Sequence, residues 1–443
     1  MIGVQVVVIT KNNFNILATL DLTKYNSVPE LYNDLLPLKK DVYEECDRIV
    51  FLYGTSTKIL NLVKEILSFI DIPDFFVSYE QTTNGGGLDF EFSSSHCIYP
   101  WINLMIDNVG NIAPCCVFGE RISNINDSSI VDVYQGTFLK NLRKDFLDGK
   151  YPTACSTCWK NEAVGIPSMR QRAKHKFREI YYKIDYEEED HNNLQIFDLK
   201  IGNSCNLACK ICNPESSSKI AEAAHKSGML STVEFTHLKK SVAWADSTQF
   251  WGQLLTAIKN LKYLDLYGGE PLMSKMHFDF LRKLIDLDVA KNIKIDYNTN
   301  ATVYSEKFFD IWQHFKEVKL SFSIDDIEER FEQQRCGADW GSVCENIKKY
   351  NARKSDKFIT EVFPTINAQN VLYIPELLEW AAVQEFDSVS FNILYSPIEY
   401  NITSVSIERK QEIIKKLSKH NNHPIYSSIV MLLKNSIDVA ENH

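Results

Sequence analysis

A chain of 443 residues is long enough for two or three domains and a sizeable core, and 44% hydrophobic with 24% charged residues is ordinary for a globular protein. Forty-eight basic against 58 acidic residues give a net charge of -10, which excludes a surface built as a whole to coat nucleic acid and leaves room for one local basic patch. No apolar run approaches the roughly 20 residues that cross a bilayer. The opening MIGVQVVVIT lacks the positive stretch and small-residue cleavage site of a secretory signal, so the expectation is a cytoplasmic protein with no membrane partner.

In chain order, residues 1–83 read as a small α/β unit. Val4–Ile9, Arg48–Tyr53 and Phe75–Tyr79 have the β-branched and aromatic content of strands. Between Thr57 and Ile70, Ile59, Leu62, Val63, Ile66 and Ile70 fall on one helical face. Asn84-Gly85-Gly86-Gly87 punctuates the chain as a boundary. Residues 88–180 form a second segment, with turn signals around Gly110 and Gly119, and the acidic stretch 185–193 reads as a solvated connector. From 194 to 400 strands alternate with helices: Leu194–Ile201, Tyr263–Tyr267, Ile293–Tyr297, Val318–Ile324, Phe358–Ile366 and Val389–Leu394, with amphipathic helices such as His277–Leu287 and Val343–Tyr350 between them. Repeated βα units predict a parallel sheet with right-handed crossovers, and six of them curl into a partial (β/α)6 TIM-like barrel with its reactive groups at the C-terminal strand ends. Residues 401–443 would be a helical extension.

Eleven cysteines are many for a reducing compartment, where clustered thiols are more often metal ligands than disulfides. One group is Cys205, Cys209 and Cys212, in Lys200-Ile201-Gly202-Asn203-Ser204-Cys205-Asn206-Leu207-Ala208-Cys209-Lys210-Ile211-Cys212, on the loop after the first expected barrel strand. Three thiolates so close together can wrap one small cluster, and thiolate is the usual ligand of iron–sulfur centres. Three protein ligands on a four-iron cluster leave one iron open.

CNLACKIC after a first strand resembles the CxxxCxxC signature of the radical S-adenosylmethionine (SAM) superfamily. The resemblance covers roughly 194–400. It implies a [4Fe–4S] cluster on Cys205, Cys209 and Cys212 whose open iron binds SAM, and reductive cleavage of SAM to a 5′-deoxyadenosyl radical that abstracts hydrogen. Gly268-Gly269-Glu270-Pro271, at the end of the second strand, matches the family's GGEP motif, where backbone and Glu270 oxygens would accept from the SAM ammonium. Asn298 and then Thr299-Asn300-Ala301 end the third strand, and Ser323-Ile324-Asp325 the fourth, where contacts to the SAM ribose or carboxylate are implied. Arg335 could pair with that carboxylate, and Asn367 or Asn370, after the fifth strand, would add a polar SAM contact. The implied protein is an oxidoreductase or modifying enzyme supplied with electrons by a donor such as a flavodoxin or ferredoxin.

The second group, Cys97, Cys115, Cys155 and Cys158, in CIYPWINLMIDNVGNIAPCC and CSTCWKNE, resembles the first half of a SPASM domain, called a twitch domain when it carries one cluster. That implies an α+β domain with an auxiliary [4Fe–4S] cluster, placed here before the barrel rather than after it. Cys116 is an alternative to Cys115 as ligand, and a four-cysteine zinc site is an alternative to the cluster. Trp101 and Trp159 are expected to keep water from it.

Arg170, Arg172, Lys174, Lys176 and Arg178 alternate in sequence, as a patch for an acidic ligand or as a solvated segment. Cys336 and Cys344 read as structural thiols or as hydrogen-atom donors. No HExxH, GxSxG, phosphate-loop or GxGxxG segment occurs. The substrate expected is a peptide or protein side chain, or else a small carbohydrate, nucleotide or cofactor precursor. A non-enzymatic zinc- or Fe–S-binding interaction module is the alternative from another class.

Overall fold

The computed structural model describes the strand backbones 4–10, 13–20, 48–53, 76–81 and 88–89, together with residues 95–163, 168–181, 184, 186, 193–420 and 423–441. The expected helix over 57–70, the glycine boundary at 84–87, most of the acidic connector and Cys46 lie outside the described residues. The chain divides into two compact units. One comprises Met1–Ile98, Leu142–Pro152 and Ala173–Asp185, and the other Tyr99–Asn141, Thr153–Arg172 and Tyr186–His443.

In the first unit, β1 (Val4–Thr10), β2 (Asn13–Leu20), β3 (Arg48–Tyr53), β4 (Phe76–Gln81) and β5 (Leu88–Asp89) form one sheet in the order β2-β1-β3-β4-β5. The three expected strands are present. The hairpin partner β2 was not expected, although Phe14, Ile16, Ala18 and Leu20 alternate as a strand should. Its pairing with β1 shifts register between Val6 and Val7, opposite Ala18 and Ile16, a one-residue bulge that turns the strand.

The second unit is built on a nine-stranded sheet. Its strands are β6 (Asn103–Ile106), β7 (Asn111–Ala113), β8 (Ser123–Asn124), β9 (Ile196–Ile201), β11 (Tyr263–Gly268), β12 (Lys294–Thr299), β13 (Glu317–Phe322), β15 (Phe358–Val362) and β17 (Ser388–Val389); β10 (Ala208–Cys209) pairs with β14 (Arg335–Cys336), and β16 (Thr365–Ile366) with β18 (Asn392–Ile393). Strands β9, β11, β12, β13, β15 and β17 lie side by side in sequence order and all parallel. This is the partial (β/α)6 TIM-like barrel. β6 joins it in parallel beside β9, and β7 and β8 fold back from β6 as an antiparallel meander. The β6–β7 turn needs Gly110, whose φ of 87° is costly for any side chain.

The strands alternate apolar and polar residues, and the apolar set meets the helices. Tyr297 on β12 accepts or donates a bond at 3.0 Å to His277 of the helix Lys275–Asp286, and Trp312 of the helix Glu306–Trp312 donates to the same hydroxyl. Leu264, Leu266, Ile295, Val318, Leu320 and Phe322 are buried with it. At roughly 1.5–3 kcal/mol for each fully buried large apolar side chain, this layer is the main support for the loops at the strand tips.

Two expected strands break. Pro364 has no N–H for a ladder, so 358–366 divides into β15 and β16. Its partner 389–394 divides at the same level into β17 and β18, with Asn392 N–H donating to Pro364 O at 3.1 Å. The expected helix 277–287 begins earlier, at Lys275, because Ser274 caps it. At the C-terminus, helices Ile407–Leu417 and Pro424–Glu441 bury Ile413, Leu417, Tyr426, Ile429 and Leu433 against Ile366, Val371 and Ile374. No helix among the described residues is long and apolar enough to cross a membrane.

Candidate functional site

The loop after β9 is held in shape by its own polar groups. Gly202 turns at φ 54°, Asn203 Nδ2 donates to Pro214 O at 3.0 Å, and Ser217 Oγ donates to Leu207 O at 2.6 Å while capping the helix Ser218–Lys226. Ser218 Oγ accepts from Cys205 N–H at 3.3 Å. This leaves Cys205, Cys209 and Cys212 half-buried on one loop at the C-terminal end of β9. Burial pushes all three thiols up, Cys209 to about 12, while Arg335 pulls Cys209 and Cys212 back. Among the described residues, no three His, Cys, Asp or Glu side chains converge on the position of a single metal ion.

Gly268-Gly269-Glu270-Pro271 closes against this loop, backbone on backbone. A Cβ on Gly269 would stand 2.2 Å from Ser204 O, and one on Gly268 2.6 Å from Ile201 N. Glu270 N–H donates to Ser204 O at 2.7 Å. The Glu270 carboxylate is 2% exposed and accepts from Thr299 Oγ1 and Asn300 N–H, each at 2.8 Å, and from Leu272 N–H at 3.2 Å. Burial outweighs these donors and raises its pKa to about 7. Asn300 Nδ2 donates to Asn206 Oδ1 at 3.1 Å and lies 3.9 Å from Cys205 Sγ. Asn298 lies on β12 paired with Ser321 of β13, on the face opposite the helices.

Asp325, 1% exposed, accepts from Thr365 N–H at 2.8 Å and pairs with Arg335 Nη2 at 2.8 Å. Arg335 Nη1 lies 3.9 Å from Cys209 Sγ. The β10–β14 ladder sets this, pairing Cys209 with Arg335 and Ala208 with Cys336. Neighbouring side chains on a strand point to opposite faces, so Cys336 is turned to the Ala208 side and away from Cys209. It is half-buried rather than buried, as is Cys344. Ser323 N–H donates to Thr299 O at 2.8 Å. Asn367 has no exposed surface; its Nδ2 donates to Thr365 O at 3.0 Å and its Oδ1 accepts from Gln369 N–H at 2.9 Å. Asn370 Nδ2 donates to Asp325 O and Thr365 O, each at 2.9 Å. These two asparagines brace the fold beneath the loops.

In the second cysteine group, Cys155 and Cys158 lie at the start of the helix Ser156–Ala163. Burial and then the neighbouring Cys158 raise the Cys155 pKa to about 12. Gly119 N–H donates to Ala154 O at 2.7 Å, which brings the chain after Cys115–Cys116 to the CxxC turn. Cys115 and Cys158 are buried, and Cys116 is half-buried. The charges felt by the Cys116 thiol are those of Asp198, Lys200 and Asp265 on β9 and β11. Cys97, also buried, belongs to the other unit. Trp101 is fully buried and donates to Tyr186 O at 3.0 Å. The basic run lies on helices, chiefly Met169–Lys176, so alternate residues spread around the axis. Arg170 is engaged by Glu162 and lies 4.9 Å over the Trp159 ring.

Residues 199–381 match the family model of the radical SAM superfamily. The chain carries a radical SAM domain. Residues 97–159 match the SPASM iron–sulfur cluster-binding domain. Comparison with curated proteins finds no match. Among solved structures, anSMEcpe with bound AdoMet is similar at 16% identity and a TM-score of 0.33, over 51% of this chain and 60% of that one. Streptococcus suis SuiB bound to precursor peptide SuiA is similar at 15% and 0.34, over 60% of this chain and 58% of that one. TYW1 with a lysine-pyruvate adduct bound follows at 11% and 0.29, over 61% and 90%. The chain thus spans less than two thirds of the length of the first two structures.

The radical SAM and SPASM domains imply [4Fe–4S] clusters and SAM. The residues present fit them: three thiols share one loop, the glycine turn closes directly on that loop, and the buried Arg335 Nε has no hydrogen-bond partner among the described residues. Sequence reading missed Asn108, whose Nδ2 donates to Gly202 O at 2.5 Å and whose Oδ1 accepts from Ser216 Oγ at 3.2 Å. It thereby ties the β6–β7 turn to the cysteine loop. Also missed was the polar inner face, where Asp198, Asp265, Asp296 and Lys319 stand at one level across four strands. Their alternation with apolar neighbours is written in FDLKI, YLDLYG, KIDYNT and EVKLSF.

Proposed function

We propose that the chain is a radical SAM enzyme that modifies a peptide or protein side chain, with the SAM cluster on Cys205, Cys209 and Cys212. Those three thiolates would hold the cluster, which when bound would supply the electron for reductive cleavage of SAM and so for hydrogen abstraction from the substrate. The protein's part is positioning and exclusion of water. Gly268 and Gly269 let the backbone close on the cysteine loop, and Glu270 offers an acceptor to a cationic group. Asn298, Asn300, Ser323, Asp325, Arg335 and Asn367 surround or brace that place. Cys97, Cys115, Cys155 and Cys158 are the proposed ligands of the auxiliary cluster.

The observation that carries this reading is the closure of the GGEP backbone on a loop bearing three thiols, with Cys336 turned aside. The pairing of a SPASM domain with a radical SAM domain supports the peptide substrate. The polar inner face favours a second reading, a small polar carbohydrate, nucleotide or cofactor precursor. An electron donor of the flavodoxin or ferredoxin class would serve either. Anaerobically loaded protein given dithionite and SAM should form 5′-deoxyadenosine, and Cys209→Ala should not. Fully loaded protein that forms none, or protein that takes up zinc and no iron, would overturn the reading.

A further inference from the structure

Arg335 is placed in a way that pairing with a SAM carboxylate does not explain. Arg335 is 8% exposed, and Asp325 already holds Nη2 at 2.8 Å. Nη1–H points at Cys209 Sγ across 3.9 Å. Its backbone is fixed twice, by the Cys209–Arg335 register and by Lys210 N–H donating to Gln334 O at 2.9 Å. Gln334 is anchored in turn on Asp326 at 3.1 Å. The ladder thus fixes the backbone beside the cysteine loop, and the Asp325 pair holds the guanidinium toward it.

A cluster gains one negative charge on reduction, and a cation held nearby in a poorly screened place favours that state. We propose that Arg335 is a positioning residue that also sets the potential of the SAM cluster, a fixed positive charge that eases its reduction, with Asp325 moderating that charge. The electron comes from dithionite in the assay and from a ferredoxin- or flavodoxin-class donor otherwise. The proposal rests on the reading that Cys205, Cys209 and Cys212 hold the SAM cluster.

The test is a potentiometric titration of anaerobically loaded protein without SAM, read by the electron paramagnetic resonance (EPR) signal that changes when SAM is later added. Arg335→Gln should move the midpoint to more negative potential and lower the fraction that dithionite reduces. Arg335→Lys should stay near the parent protein. Asp325→Asn, which leaves the cation without its counter-charge, should move the midpoint the opposite way. Simple loosening of the site cannot give shifts of opposite sign. An Arg335→Gln protein with full iron and an unchanged midpoint would overturn the proposal, including where only SAM affinity falls. If that variant holds no iron, Asp325→Asn decides, and an unchanged or more negative midpoint refutes it. A parent protein with no SAM-responsive signal would instead overturn the cluster reading itself.

Discussion

Replacing Glu270 with glutamine should change how stability depends on pH, because this carboxyl is buried where its charge is costly. It is 2% exposed, and three donors do not compensate for lost water, so its pKa rises from 4.5 to about 7. A raised pKa means that the folded chain holds the proton more tightly than the unfolded chain. Between pH 4.5 and about 7 the folded state then binds more protons, and stability falls as pH rises through that window and levels off above it. At 1.36 kcal/mol per unit, the loss is about 3 kcal/mol by pH 8. Glutamine stands in for the protonated acid and does not titrate. Whatever the offset near pH 5, where the amide turns an NH2 toward one of the three donors, the variant should gain about 3 kcal/mol on the parent between pH 5 and pH 8. Urea unfolding of reduced, anaerobic protein, followed by fluorescence of the buried Trp251 and Trp312, measures the difference, and other titrating groups cancel in it. A difference that stays constant from pH 5 to 8 would refute the reasoning. A cation set against Glu270 removes the penalty, so SAM added to loaded parent protein should flatten its slope.

Other outcomes follow from the same geometry. Loaded protein should carry about eight irons, four in each of two clusters; Cys209→Ala and Cys158→Ala should each remove about half, and only Cys209→Ala should abolish the SAM-responsive EPR signal. Gly269→Ala puts a methyl 2.2 Å from Ser204 O, so it should cost about 3 kcal/mol or more and lose the iron bound at the cysteine loop. Gly252, in the helix Thr248–Ala257 with open space around it, is the control: Gly252→Ala should stabilise by about 0.5–1 kcal/mol in the same urea assay.

What could be read from the chain was what is local along it. CNLACKIC and Gly268-Gly269-Glu270-Pro271 each directly follow or end an apolar strand, so motif and strand could be recognised together. The barrel order followed from repeated βα units. What could not be read depends on pairing between distant residues. A ladder of two residue pairs brings Arg335 to Cys209, 126 positions away, and nothing in either segment announces it. Asn108 reaches Gly202 across 94 positions in the same way. Asn367 and Asn370 look like ligand contacts in sequence, yet their amides are occupied by Thr365, Gln369 and Asp325. The basic run alternates along the chain and reads there as a patch or as a solvated segment. On the helix Met169–Lys176 the same residues diverge, and Glu162 engages Arg170. Pro364, by contrast, is a local reason for 358–366 to break, visible in the chain itself.

The most direct measurement is electron–nuclear double resonance on the reduced, loaded protein with SAM labelled with nitrogen-15 at its amino group. A nitrogen-15 coupling strong enough for direct bonding to iron, present in the parent protein and absent in Cys209→Ala, is the predicted result. A fully loaded cluster that shows no such coupling, or that carries a fourth ligand from the chain itself, would contradict the account.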